Sequence, residues 1–132
     1  MPLRRVLVSS LAEFDTLLKE SLARAGSKTV VLFTGALDEA TGKSWCPDCS
    51  DSKAGINAAL EEAGSEGDVS LLEVPLVRSE YRGNAAHWAR VHPAVKLRAI
   101  PTLCLWGKTA KVAELVEGEC MDAARVREMV LE

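Results

Sequence analysis

Apolar positions along the chain come in short runs that switch between two spacings. Leu3 to Val8 is a brief strand-type run. Beyond Ser9 and Ser10, either of which can cap a helix, Leu11, Phe14, Leu17, Leu18 and Leu22 recur three and four apart. That is the period of one helix face, and Gly26 ends it. The stretch 28-KTVVLFT-34 predicts a buried strand rich in β-branched residues. A polar loop, 35-GALDEATGKS-44, follows it. From Cys49 to Ala63 good helix formers dominate, with Ile56, Ala59 and Leu60 on one apolar face. Gly64 and Gly67 bracket a loop before a third strand, 68-DVSLLEV-74. Residues 75–84 are polar and irregular, and 85-AAHWARV-91 predicts one short helix. The segment 95-VKLRAIPTLCLW-106 is apolar but interrupted by Pro101. Gly107 and Lys108 turn the chain into an alternating strand, 111-KVAELVE-117, and 122-DAARVREMVLE-132 is a helix that Asp122 can cap.

The order β-α-β-α-β-α-β-β-α describes an α/β layered sheet covered on both faces, with an antiparallel hairpin at one end. At 132 residues, positions 1–132 make one domain with room for a real core. A mild net charge of −3 argues against nucleic acid or an acidic membrane as the partner. Arg4 and Arg5 precede a short apolar run that Ser9, Ser10 and Glu13 break, too weak a pattern for a signal peptide. No apolar run approaches the ~18 residues of a membrane span. With four cysteines and no export signal, the expected compartment is reducing, the cytoplasm.

The chemistry concentrates in 43-KSWCPDCSDSK-53. The Cys46-x-x-Cys49 pair follows a strand and loop and opens a helix. Residues three apart share a helix face, so the sulfurs can approach bonding distance. Unsatisfied N–H groups and the positive end of the dipole meet at a helix start, and both favour a thiolate at Cys46. Cys49, deeper in the helix, keeps its proton longer. Cys46 is therefore the attacking sulfur and Cys49 the resolving one. Pro47 suits an early helical position, where its missing N–H is no loss. Asp48 favours the helix but its charge opposes thiolate formation, so these two residues tune the pair. Trp45 covers one side of it and shapes a docking surface.

Two other readings stand beside this one. A zinc-binding domain would need Cys104 with Cys120, or His87 with His92, as the missing ligands. The histidines lie far beyond Cys49, and Cys104 and Cys120 form no close pair. A non-enzymatic binding module would instead use loop 35–44 to hold a partner. Cys104, between Leu103 and Leu105, reads as a core thiol. Cys120, just before the last helix, is expected to be more accessible. His87 and His92 lack a recognisable acid partner, and Trp88 and Trp106 read as packing residues.

Three stretches, 33-FTGALDEATGKSWCPDC-49, 100-IPTLCLWG-107 and 116-VEGEC-120, resemble the thioredoxin domain-containing protein 17 family. The resemblance runs from about Val6 to Val130. It implies a thioredoxin fold, a central mixed sheet with helices on both faces. It also implies that Cys46 is the nucleophile and Cys49 the resolving cysteine, joined as a disulfide when oxidised. Ile100-Pro101 matches the family's cis-proline position, which helps hold a disulfide substrate beside the pair. Cys120 falls on a cysteine that the family carries outside its active site. Members are cytosolic disulfide reductases, and this chain is expected to be a monomer with no bound cofactor. They are recharged from NADPH by a thioredoxin reductase and act on small disulfides such as cystine and on modified protein thiols. Unlike ordinary thioredoxin, 30-VVLFT-34 has no buried Asp behind the cysteines, so the resolving proton needs water or another group, such as Asp48. Loop 35–44 is expected to restrict docking.

Overall fold

The computed structural model describes residues 3–24 and 26–131. Its centre is a five-stranded sheet of order β1-β3-β2-β4-β5, with β1 at Leu3–Leu7, β2 at Lys28–Gly35, β3 at Val69–Leu76, β4 at Thr102–Trp106 and β5 at Lys111–Val116. β1 and β2 run parallel to β3, while β4 is antiparallel to β2 and to β5. The helices are α1 (Leu11–Leu22), α2 (Pro47–Glu66), the short α3 (Arg78–Tyr81) and α4 (Trp88–Val91), and α5 (Ala123–Leu131), with a 3-10 turn at Glu117–Met121. Among the described residues no helix is long and apolar enough to cross a membrane.

β2 is central, and its run of β-branched and large apolar residues is what burial on both faces demands. Val31 and Phe33 enter a core with Phe14 and Leu18 of α1, Val74 of β3 and Trp106 of β4. Val30 and Leu32 point the other way, against Ile56 and Leu60 of α2 and Val126 and Val130 of α5. The expected mixed sheet with helices on both faces is thus the observed one.

Local signals hold at several ends. Ser10 caps α1 by accepting from Glu13 N at 3.3 Å, and Glu13 reaches back to Ser9 N at 2.8 Å. Asp122 Oδ1 accepts from Ala124 N at 3.1 Å to start α5. Other boundaries differ from the sequence reading. α2 runs from Pro47 to Glu66, past Gly64, because that glycine lets Leu3 lie against the helix: a Cβ there would meet Leu3 Cβ at 2.9 Å. β4 begins only at Thr102. The preceding apolar residues form a turn through Lys96, whose φ is 48°, and bury Val95 and Leu97 without strand pairing. Residues 75–84, read as irregular, hold the end of β3 and the single turn of α3.

Phe14 ties α1 to the sheet. It is fully buried, with Trp88 at 5.4 Å, Phe33 at 5.9 Å and Trp106 at 6.2 Å between ring centres. Phe14→Ala is expected to lower stability by about 3–5 kcal/mol, read from urea unfolding.

Candidate functional site

The site forms where β2 ends. Loop 35–44 leaves Gly35 and folds back on itself: Asp38 N donates to Lys43 O and Gly42 N to Asp38 O, both at 2.7 Å, and Leu37 bridges Ser44. Ser44 then returns to the strand, its hydroxyl donating to Gly35 O at 2.8 Å and accepting from Cys46 N at 3.2 Å. This delivers Cys46 to the cap position of α2, with Pro47 in the first turn.

Both sulfurs receive backbone N–H groups. Cys46 Sγ accepts from Cys49 N at 3.3 Å and lies 3.8 Å from Ile100 O, toward which its S–H points. Cys49 Sγ accepts from Gly35 N at 3.3 Å. Both cysteines are free and buried. Burial, then the hydrogen bond with Cys46, pushes the Cys49 thiol up to about 12, Thr34 and Gly35 pulling it only partly back. Cys49 is therefore a neutral thiol at physiological pH.

The other expected site residues lie around the pair. The Trp45 indole donates to Leu76 O at 2.7 Å and flanks Cys46. The Ile100–Pro101 bond is cis, and Ile100 O faces the Cys46 sulfur. Asp48 is half-buried in the first turn of α2. Behind Cys49 lies a cavity of about 640 Å³ between loop 35–44, α2 and the sheet, lined by Thr34, Cys49, Ser52, Lys53 and Glu73 among others. A second groove, of about 720 Å³, is lined by Asp38, Glu39, Trp45, Arg78 and Arg82 among others.

Two expectations change. Cys120 is not accessible: it is 2% exposed, its thiol donating to Leu115 O at 3.3 Å and Pro101 O at 3.5 Å, because the 3-10 turn folds it beneath the proline. His92 does have an acid partner, Asp15, at 2.9 Å, while His87 caps α4. Among the described residues no group of three or more His, Cys, Asp or Glu side chains is placed to hold a metal ion. The sequence reading passed over Gly35 and Tyr81. Gly35 carried a signal, a glycine closing a buried strand; Tyr81, in a stretch without periodicity, carried none.

Comparison with known proteins followed the same lines. Residues 7–132 match the family described as thioredoxin domain-containing protein 17-like, thioredoxin domain. Acireductone dioxygenase of Leishmania braziliensis is 30% identical over 122 residues, 88% of this chain but 36% of that protein. Its counterparts in two other Leishmania species likewise exceed the matched stretch, the chain spanning 28% and 22% of them. Thioredoxin domain-containing protein 17 of Homo sapiens is 33% identical, covering 89% of this chain and 87% of that protein. In structure, thioredoxin O1 from Arabidopsis thaliana superposes with a TM-score of 0.59 at 20% identity, covering 98% of this chain and 99% of the other. The fold is that of thioredoxin.

Two outcomes are expected. A Cβ on Gly35 would meet Ser44 Oγ at 2.7 Å and Cys46 Cβ at 2.9 Å, whereas one on Gly55 of α2 meets nothing within 4 Å. Gly35→Ala should cost about 1–3 kcal/mol and slow Cys46–Cys49 disulfide formation, while Gly55→Ala should stabilise by about 0.5–1 kcal/mol; urea unfolding and thiol titration read both. The second outcome concerns pH. Burial also raises Cys104 to about 12 and Cys120 to about 11, from an ordinary value of 9.0. Above pH 9 the unfolded thiols ionise while the folded ones keep their protons, so the folded state binds more protons and stability falls as pH rises. The urea midpoint of the reduced protein should drop between pH 9 and 11, and Cys104→Ala should flatten that drop by the share of one proton, about 1.4 kcal/mol per pH unit.

Proposed function

The chain belongs to the thioredoxin domain-containing protein 17-like family, and from that premise we propose that it is a dithiol–disulfide oxidoreductase working through Cys46 and Cys49. The observation that carries this reading is the unequal setting of the two sulfurs. Cys46 caps a 20-residue helix and takes a backbone N–H, while Cys49 is held as a neutral thiol. A thiolate attacks and a thiol waits, which is the division of labour a two-step exchange requires.

In the first step the Cys46 thiolate attacks one sulfur of a substrate disulfide. A Cys46–substrate bond forms, the substrate S–S bond breaks, and the other half leaves as a thiolate that takes a proton from water. In the second, Cys49 loses its proton and attacks Cys46 Sγ. The protein disulfide forms, the mixed disulfide breaks, and the second half of the substrate leaves. Two electrons pass from protein to substrate. Water in the cavity behind Cys49 can take its proton there; Glu73 is the carboxylate that shares that cavity, and Asp48 on α2 is the other nearby acid. The electrons are restored from NADPH by a thioredoxin reductase.

The substrates are small disulfides such as cystine and selected protein disulfides. Loop 35–44 supports this selectivity, since its Asp38 and Glu39 line a groove together with Trp45, Arg78 and Arg82. Trp45, Ile100 and Pro101 are the substrate-facing residues, and Pro47 and Asp48 set the start of the helix. The protein acts as a cytoplasmic monomer with no bound cofactor.

With a thioredoxin reductase, NADPH and cystine, Cys46→Ser should abolish NADPH consumption. Cys49→Ser should instead accumulate mixed disulfides at Cys46, visible as a mass increase that a thiol reductant removes. Full turnover by Cys46→Ser would end this reading, and binding of a partner that survives loss of both sulfurs would favour a non-enzymatic module.

A further inference from the structure

Cys49 must give up a proton before its sulfur can attack Cys46, and it is buried with that proton held. The way out is the cavity of about 640 Å³ that Cys49 lines between α2 and the sheet. A water molecule needs only about 10–15 Å³ and a few polar partners, and Thr34, Ser52 and Asn57 line the same space. Those three are hydroxyls and an amide, which take no proton at neutral pH. Arg5, Lys43 and Lys53 line it as donors. Of the lining side chains among the described residues, only Glu73 is a carboxylate. Asp48 is not among them, and one position before Cys49 it projects about 100° round the helix from it.

Strand pairing explains why Glu73 faces this space. It is the register partner of Leu7 on β1 and of Leu32 on β2, and register partners share a face of the sheet. Leu32 packs on the α2 side with Ile56 and Leu60, as does Leu71, two positions before Glu73. Leu7, Glu73 and Leu32 thus form one row across three strands, and all three line the cavity. Leu32 precedes Gly35 by three residues, roughly 10 Å along β2. Gly35 N in turn lies 3.3 Å from Cys49 Sγ. The glutamate side chain covers part of that span and cavity water the rest. The charged groups facing Glu73 are Arg5 of β1, with Nη1 at 3.7 Å, and Lys53 of α2 and Lys43 of the loop across the cavity. Arg5 also reaches Glu61 of α2, at 3.5 Å. The Glu73 side chain is 35% exposed, so a proton it takes up can pass on to solvent.

Resting on the oxidoreductase reading above, we infer that Glu73 is the proton acceptor of the second step, serving Cys49 through water in the cavity they share. As the Cys49 sulfur attacks Cys46 Sγ, its proton passes to a cavity water, which gives one of its own to the Glu73 carboxylate. The Cys46–Cys49 bond forms, the mixed disulfide breaks, and the substrate half leaves as a thiolate. Glu73 then releases the proton to solvent. The base stands on β3, one strand over from the position where β2 has only Leu32.

The test mixes the reduced protein with one equivalent of dithiobis(nitrobenzoate) in a stopped-flow cell. Attack by Cys46 releases one coloured thiolate and closure by Cys49 releases the second, so the two steps are read apart. Glu73→Gln keeps the size of the side chain and removes the base. The expected result is an unchanged first release and a second release slowed about a hundredfold at neutral pH, the low end of what a positioned base contributes. The second release of the variant should then quicken in proportion to hydroxide as pH rises, while that of the wild type changes less. Glu73→Asp should recover much of the rate. Arg5→Gln breaks the same ion pair but leaves the carboxylate, and its second release should stay fast. A second release in Glu73→Gln as fast as in the wild type would overturn the inference. So would equal slowing in Arg5→Gln, or slowing of both releases together, because the ion pair or the packing would then be what matters. Failure of the oxidoreductase reading looks different: the wild type itself would give no second release and no Cys46–Cys49 disulfide by mass.

Discussion

The site depends on one close approach. The turn that carries Cys46 returns to within van der Waals distance of the last residue of β2, and only a residue without a side chain leaves room for it. Gly35 does more than make room. Its carbonyl anchors Ser44, whose hydroxyl holds Cys46 N, and its N–H points at Cys49 Sγ. Through one backbone unit a buried central strand sets the position of both sulfurs. A rigid strand is a better reference than a loop, because β2 is pinned by Val31 and Phe33 on one face and Val30 and Leu32 on the other.

From that placement follow the different positions of the two sulfurs on α2. Each sulfur is buried and each accepts a backbone N–H. Cys49 sits a turn inside α2, where burial outweighs the help of Thr34 and Gly35 and holds the proton. Cys46 stands at the cap, where the unsatisfied N–H groups of the helix converge. The thioredoxin fold therefore sets one sulfur at a helix cap and holds the other as a neutral thiol one turn in, and Leu32 and its neighbours on β2 supply no carboxylate behind them.

How much of this was legible in the sequence follows from which residues act through local rules. Ser10, Asp122, the β-branched run of β2 and the hairpin at Gly107 are local devices, and each appears where its pattern placed it. The Cys46–Cys49 spacing is likewise local, since three residues on a helix fix a face. The rest was illegible because it depends on contacts distant in sequence. Gly64 reads as a helix breaker until Leu3 is seen against it. Cys120 reads as exposed until the 3-10 turn tucks it under Pro101. Residues 75–84 read as irregular, and the position of Tyr81 among them shows only in the rings packed on it.

The segment between β3 and β4 also brings irregular backbone and side chains to the edge of the site. Regular elements saturate their own backbone groups, so they offer a reacting sulfur little beyond a helix start. Irregular chain leaves groups over: the Ile100 carbonyl facing Cys46, the Tyr81 hydroxyl without a partner among the described residues, and Arg78 and Arg82 lining a groove with Asp38 and Glu39. Such leftovers cost stability where they are buried, and a fold retains them only when its core is strong enough to bear them. Here the two-sided burial of β2 provides that strength. The sheet and its helices thus fix where the dithiol is, while the segment between β3 and β4, together with loop 35–44, determines what surrounds it.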